Sequence, residues 1–188
     1  MISELVAIEE QGERLTQQEL ITTLVLLLVA GHETTTNLIG NGLLALLQHP
    51  EQLDLLRSRP DLLPVATEEL LRFCSPVQRT LRIIKEDVAF GGQQLRRGQS
   101  ILTIFAAANR DPAVFERPQE LDITRTPNPH MGFGRGIHFC LGAPLAKAEG
   151  QIAFGALLER LPGLKLAGEP IWNDNAAIRG MSSLPVKF

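Results

Sequence analysis

One apolar stretch limits the possible folds of this chain more than any other part of its sequence. Residues 21–30 are apolar apart from two threonines, and an apolar pattern continues until Pro50 interrupts it. Thr16 and Glu19 form a capping-box pattern at the start of the stretch. We therefore predict one helix over residues 16–48. Such a helix is about three times the average length in globular proteins and would cross a whole domain.

The long apolar stretch is better explained by a buried helix than by a membrane span. Gly31, His32 and Glu33 interrupt it before it is long enough to cross a bilayer. The pattern therefore predicts a helix that is buried on all sides. Residues 2–8 are typical of the end of a helix that precedes a polar turn, and residues 1–11 lack the basic and apolar regions of a signal peptide.

The composition bounds the class of protein. The 188 residues are 44% hydrophobic and carry a net charge of −3, which suits one globular domain with a sizeable core. The chain has no tyrosine and no basic excess, and both features argue against a nucleic-acid surface. We expect a cytoplasmic protein that binds neither nucleic acid nor a membrane.

The remaining sequence adds a small β part to a mainly helical chain. Alternating residues and turn signals predict six strands, at residues 76–84, 88–90, 93–95, 100–105, 164–166 and 185–188. The last two are expected to form a terminal hairpin with residues 182–184 at its turn. Shorter helices are predicted at residues 51–57 and 62–73. Residues 112–129 are rich in proline and polar side chains and are predicted to be irregular.

A glycine-rich stretch places a cysteine just before another predicted helix. Residues 133–142 read Phe-Gly-Arg-Gly-Ile-His-Phe-Cys-Leu-Gly, and helical spacing of apolar residues follows them. Gly134 and Gly136 allow a tight bend, and Gly142 leaves room for a flat partner. A cysteine at a helix N-terminus is favoured as the thiolate, which is the form that binds metal.

Taken alone, Cys140 admits several interpretations. It could be a nucleophile with His138 as its base, although such pairs are usually far apart in sequence. A closed zinc site would have too few sulfur ligands, because the chain has two cysteines. A structural cysteine beside a glycine-rich loop is the simplest alternative. Cys74 lacks the glycine context and is predicted to be a buried free thiol.

Two further motifs also have an ordinary explanation beside a functional one. Residues 30–35 place small residues, an acid and two hydroxyls inside the apolar helix, which costs stability unless something binds there. The alternative is a helix crossing with internally satisfied threonines. Glu69 and Arg72 are three residues apart on a predicted helix, so they could be an ordinary surface ion pair worth under ~1 kcal/mol.

Together these motifs resemble the cytochrome P450 family. Residues 133–142 are similar to its haem-binding signature, residues 30–35 to its oxygen-binding motif, and Glu69-x-x-Arg72 to its buried Glu-x-x-Arg pair. The resemblance covers only the C-terminal portion of a bacterial-type member, so residues 1–188 are expected to form a single partial domain. It implies a mainly α fold with a small β part: long central helix, Glu-x-x-Arg helix, small sheet, cysteine loop and last long helix.

The resemblance also implies a cofactor, haem b (iron protoporphyrin IX), with Cys140 as the axial ligand of its iron. The residues expected around the haem are Ala30, Gly31, Arg82, His130, Phe133, Gly134, His138, Cys140 and Gly142. Among these, Arg82 and His130 are expected to pair with the haem propionates. Glu33 and Thr34 would deliver protons to dioxygen, for which Ala30 and Gly31 leave room.

Further residues take structural or docking roles by the same resemblance. Glu69 and Arg72 would shape the cysteine loop, with Arg125 a candidate third member of the network. Arg110 is expected to hold the irregular segment by hydrogen bonds. Residues 77–80 and 182–184 are candidates to line a substrate pocket.

The implied function is that of a monooxygenase. Such an enzyme inserts one atom of dioxygen into an organic substrate, expected here to be small and apolar, with electrons from a ferredoxin or flavodoxin-type donor. The donor would dock on the cysteine side, near Arg135 and Lys147. The alternative is a truncated, non-catalytic haem-binding or merely folded remnant, because an open pocket admits water.

Overall fold

The computed structural model describes residues 15–188; the helix end predicted at residues 2–8 and the turn after it lie outside this range. The described residues contain five α-helices: α1 (Gln17–Gln48), α2 (Pro50–Ser58), α3 (Leu63–Phe73), α4 (Phe105–Ala108) and α5 (Ala143–Arg160). They also contain two 3₁₀ turns, Pro60–Leu62 and Gly136–His138. The mainly helical class predicted from the sequence is confirmed.

The β part of the described residues is four separate pairs of short antiparallel strands. The strands are β1 (Arg79–Ile83), β2 (Val88–Phe90), β3 (Gln93–Leu95), β4 (Ser100–Ile104), β5 (Lys165–Leu166), β6 (Ile171–Trp172), β7 (Met181–Ser183) and β8 (Val186–Lys187). β1 pairs with β4, β2 with β3, β5 with β8 and β6 with β7. The predicted terminal pair is confirmed, but residues 182 and 183 are wrong as its turn, because they lie on β7 in a hairpin nested inside that pair.

The predicted long helix is confirmed almost to the residue. Thr16 caps it: Thr16 Oγ1 accepts the amide of Glu19 at 3.3 Å, and Glu19 Oε2 accepts the amide of Thr16 at 2.8 Å. The helix ends at Gln48, immediately before the proline that begins α2. No helix within residues 15–188 combines the length and the apolarity that a membrane crossing requires.

The prediction that this helix is buried on all sides is wrong for its first half. Ile21, Val25, Leu26, Leu28 and Val29 are 50–72% exposed. Burial is concentrated in the second half, from residue 37 to residue 46. The physical reason is that the described elements that pack on α1, chiefly α3 and α5, reach only its C-terminal part.

The core joins four helices to the irregular segment. It is built from nine buried residues: Ala45, Leu46, Leu53, Leu56, Ala66, Leu70, Leu121, Ile123 and Phe154. The helices α1 and α5 approach closely, because a Cβ built at Gly42 would lie 2.5 Å from Cζ of Phe154. Leu121 and Ile123 come from the segment predicted to be irregular, which carries no helix or strand over residues 112–129. Apolar anchoring therefore orders this segment without regular secondary structure.

Candidate cofactor site around Cys140

The cysteine lies on a loop that only glycine-rich sequence can form. Gly134 and Gly136 have φ angles of +70° and +68°, in the left-handed region that other residues seldom adopt. The loop closes on itself where the amide of Cys140 donates to the carbonyl of Phe133 at 3.0 Å. The helix α5 begins three residues later, at Ala143, so the predicted placement of the cysteine before a helix is confirmed.

The surroundings of Cys140 are exposed and apolar. Cys140 is a free cysteine at the surface, and Ile137 and Leu141 beside it are 98% and 89% exposed. Phe139 and Leu145 add further exposed apolar surface. This arrangement does not match a buried structural cysteine. Contiguous exposed apolar surface of this kind marks an interaction site or a ligand-binding groove.

Residues 30–34 lie on the part of α1 where its burial begins. Ala30 and Gly31 are exposed, and a Cβ built at Gly31 would meet no atom within 4 Å. The hydroxyl of Thr34 donates to the carbonyl of Ala30 at 2.7 Å. This hydrogen bond within the helix is the one expected if residues 30–35 form only a helix crossing. This hydroxyl oxygen retains lone pairs that can accept a hydrogen bond. Glu33 is half-buried on the same turn.

The polar residues expected around the haem differ in exposure and in hydrogen bonding. Arg82 is exposed on β1, and its Nη1 donates to Oγ1 of Thr80 and to the carbonyl of Leu81, both at 2.9 Å. His138 is exposed on the cysteine loop. The His130 side chain is 5% exposed and bonded at both nitrogens, because Nδ1 accepts the amide of Gly132 at 3.0 Å and Nε2 donates to Glu68 at 2.8 Å. A propionate at His130 would have to displace one of these partners.

The Glu-x-x-Arg pair is fully buried, so the surface-pair interpretation is wrong. Nε and Nη2 of Arg72 each donate at 2.8 Å to an oxygen of the Glu69 carboxylate. The remaining three N–H groups donate to the carbonyls of Asn109, Pro118 and Glu120 at 2.8–2.9 Å. All five donors of this guanidinium are therefore used. The pair holds the irregular segment against α3.

Further donors converge on Glu69. Arg125 Nε lies 3.2 Å from both carboxylate oxygens, as suggested for the third member of the network. The amide of Asp122 and Nδ2 of Asn128 donate to the same carboxylate at 3.0 Å each. Arg110 donates to Oε1 of Gln119 in the irregular segment at 2.7 Å and to the carbonyl of Phe73 on α3 at 2.8 Å, so its predicted hydrogen-bonding role is confirmed.

Two residues near the cysteine loop were missed by the sequence analysis. Asn109 is fully buried, and its Oδ1 accepts the amide of Met131 at 2.6 Å, just before the loop. Glu68 accepts hydrogen bonds from His130 and from Lys147, the latter at 2.6 Å. Its position beside Glu69 offered no local signal that the two carboxylates serve different networks.

Cys74 contrasts with Cys140. Its Sγ donates to the carbonyl of Leu70 at 3.1 Å, and burial raises the pKa of its thiol to about 12. It therefore stays protonated and unreactive at neutral pH. The predicted free thiol is confirmed, although the residue is half-buried rather than fully buried.

Two cavities within the described residues lie away from the cysteine loop. One of about 320 Å³ is lined by Gln78, Arg79, Ile104, Trp172 and Arg179, among others. A second, of about 470 Å³, extends from there toward Phe73 and Cys74. The surface around Cys140 is open, because Cys140, Ile137 and Leu141 are exposed.

The residues present at Cys140 fit a flat, apolar, iron-bearing group. An exposed cysteine sulfur is the soft type of ligand that such iron accepts. Exposed apolar side chains surround it, and the space beside Gly142 is open, since a Cβ built there would meet only Sγ of Cys140, at an ordinary contact distance of 3.9 Å. A mainly helical fold with a cysteine loop before its last long helix is what the resemblance to the haem-thiolate class of protein predicts.

Comparison with known proteins gives the family. Residues 1–173 match the family model described as Cytochrome P450, and the chain belongs to that family. It is 50% identical to Cytochrome P450 CYP107DY1 of Priestia megaterium over 190 residues, covering 100% of this chain and 46% of the relative. It is also 50% identical over 192 residues to the polyketide biosynthesis cytochrome P450 PksS of Bacillus subtilis, covering 100% and 47%.

A solved structure confirms the fold. The complex of P450BioI with acyl carrier protein ligated to hexadec-9Z-enoic acid superposes with a TM-score of 0.93 at 44% identity. The match covers 100% of this chain and 52% of that protein. The chain therefore spans about half the length of the relatives it matches.

Proposed function

We propose that this chain is the haem-thiolate portion of a monooxygenase that inserts one atom of dioxygen into a small, apolar organic substrate. The observation that carries the proposal is Cys140, a free, exposed cysteine at the centre of an apolar surface on a loop shaped by two left-handed glycines. Haem bound through a thiolate supplies electron density that favours cleavage of dioxygen.

The cysteine loop and β1 would hold the haem. Cys140 would give the sulfur ligand. Phe133, Gly134 and Gly142 would border the flat ring of the haem. Arg82 is exposed and has a guanidinium fork suited to a carboxylate, and His138 is exposed on the loop. His130 would serve a propionate only by giving up its bond to Glu68 or to the amide of Gly132.

Protons would reach the reacting oxygen through α1. The Thr34 hydroxyl donates to the carbonyl of Ala30, so its oxygen is free to accept a hydrogen bond from a water. Glu33 is half-buried and can exchange a proton with solvent. The small residues Ala30 and Gly31 leave open space beside this pair.

Electrons would arrive from a ferredoxin or flavodoxin-type donor on the cysteine side. Arg135 is exposed there and is the stronger candidate for contact with an acidic partner. The charge of Lys147 is already compensated by Glu68. The names of two relatives, a polyketide-biosynthesis enzyme and one solved with a fatty acyl chain, support an apolar, carbon-rich substrate.

A second candidate is a non-catalytic haem-binding or folded remnant. It is favoured by the exposed apolar half of α1. With that half of the helix in water, water would also reach the reacting oxygen, and peroxide would be released instead of oxidised product.

A reduced-plus-carbon-monoxide difference spectrum of the purified 188-residue chain, after incubation with haem, tests the proposal. We expect a Soret band strongly shifted to the red relative to histidine-ligated haem. Cys140→Ala should abolish this band. The matched control Cys74→Ala should retain it, because that thiol is buried and protonated.

The outcomes separate the two candidates. A red-shifted band that is lost only in Cys140→Ala supports the haem-thiolate assignment. A band with histidine-type position, or one that survives Cys140→Ala, contradicts it. No haem uptake by the chain leaves the folded remnant as the function that fits.

A further inference from the structure

Glu68 connects two elements that border the cysteine loop. It lies on α3, directly before the buried Glu69, yet the two carboxylates bind different partners. His130 donates to Glu68 Oε2 at 2.8 Å, and Lys147 of α5 donates to Oε1 at 2.6 Å. Charge-assisted hydrogen bonds of this length are the stronger kind in proteins. Three parts of the chain therefore meet at one carboxylate.

Both partners of Glu68 also contact the first residue of the loop. Lys147 Nζ lies 5.5 Å from the centre of the Phe133 ring, on its face. The His130 ring lies 6.0 Å from the same ring, between centroids. In addition, His130 Nδ1 accepts the amide of Gly132, the residue before Phe133. The ring and the backbone at this point are thus fixed by groups that Glu68 orients.

Phe133 in turn positions Cys140. The Cys140 amide donates to the Phe133 carbonyl at 3.0 Å and closes the loop. The glycines between the two residues cannot fix the loop themselves, because they are conformationally permissive. Contacts at Phe133 therefore restrict where the sulfur-bearing residue can lie.

The charge state of Glu68 agrees with this role. Partial burial alone would raise the pKa of its carboxyl, but the hydrogen bonds from His130 and Lys147 outweigh burial and lower it. The carboxylate is therefore charged at neutral pH and can orient both donors.

We propose that Glu68 is a positioning residue for Cys140: through His130 and Lys147 it holds Phe133, and through Phe133 it fixes the backbone of the cysteine. Its importance for catalysis rests on the proposed function, in which Cys140 is the ligand. The positioning itself is a property of the polypeptide and can be measured without haem.

Hydrogen exchange of single amides in the 188-residue chain tests the proposal. Glu68→Gln keeps the size of the side chain and removes its charge. We expect the Cys140 amide to exchange about tenfold faster, which corresponds to about 1.4 kcal/mol. The Asp122 amide is the internal reference, because it is bonded to Glu69 and not to Glu68. Its exchange should not change.

Matched variants separate positioning from general stability. Glu149→Gln removes a negative charge from an exposed site on α5 and should leave the Cys140 amide unchanged. Lys147→Met should reproduce the effect of Glu68→Gln, whereas Lys147→Arg keeps the charge and should preserve protection. Lys147 is partly exposed, so the variants Lys147→Met and Lys147→Arg provide the test if Glu68→Gln fails to fold.

Two results would overturn the proposal. One is an unchanged Cys140 amide in both Glu68→Gln and Lys147→Met. The other is equal acceleration at Cys140 and Asp122, which would make Glu68 a general stabilising residue. Selective acceleration supports the proposal even if the chain takes up no haem, and in that case only the proposed function fails.

Discussion

Glu69→Gln tests how much the buried ion-pair network stabilises this chain. The substitution keeps the shape of the side chain and removes its charge, while Arg72 and Arg125 keep theirs. Glu69 is 0% exposed and accepts hydrogen bonds from Arg72, Arg125, Asn128 and the amide of Asp122. An amide in its place presents N–H donors toward two guanidinium groups.

The expected loss follows from burial. Removing one member of a buried ion pair costs about 3–5 kcal/mol, because the remaining charge stays uncompensated. This is a large part of a total stability of about 5–15 kcal/mol. With a urea slope of about 2 kcal/mol/M, the unfolding midpoint should fall by roughly 1.5–2.5 M.

The assay is urea unfolding followed by far-ultraviolet circular dichroism. The matched control is Glu120→Gln, whose side chain pairs with Arg117 at 2.8 Å but at the surface, with the two side chains 59% and 57% exposed. That variant should lose under ~1 kcal/mol. The reasoning is refuted if Glu69→Gln loses no more stability than this control.

Two further predictions concern packing and pH. Gly42→Ala should destabilise the chain by about 1–2 kcal/mol in urea unfolding, because overpacking against Phe154 exceeds the gain in helix propensity. Gly31→Ala, where a Cβ meets open space, should be neutral or stabilising; equal losses would contradict the packing argument. Since the pKa of Cys74 is raised to about 12, the wild type should lose up to about 1.4 kcal/mol per pH unit between pH 9 and pH 12 relative to Cys74→Ala. If the free energy of unfolding varied with pH in the same way for the two proteins, the raised pKa of the Cys74 thiol in the folded state would be contradicted.

Local signals in the sequence predicted the longer helices well, although the short helix α4 was not predicted and Phe105 was assigned to a strand. The long helix α1 begins and ends where a capping box and a proline stand, and both act within a few residues of the boundary. The cysteine loop was equally predictable, because Gly134 and Gly136 occupy backbone conformations that demand glycine. Short-range chemistry was enough in these places.

The contacts between distant residues could not be predicted in this way. Glu68 and Glu69 are adjacent and chemically alike, yet one binds His130 and the other Arg72. Asn109 gave no sign that it would bind the backbone before the cysteine loop. Partners separated by tens of residues depend on how the helices pack, which periodicity does not encode.

The wrong prediction that α1 is buried on all sides has a related cause. An apolar pattern states which residues avoid water, but not which part of the polypeptide covers them. Along residues 21–29 the described elements leave that surface exposed.

The use of every donor of Arg72 has a consequence for local motion. Three carbonyls from residues 109–120 accept hydrogen bonds from the same guanidinium. If the Arg72 side chain moves away, all three bonds are lost together and the three carbonyls are exposed to water. The segment therefore opens as one cooperative unit. A protease would find it either intact or wholly accessible, with few partly loosened states between.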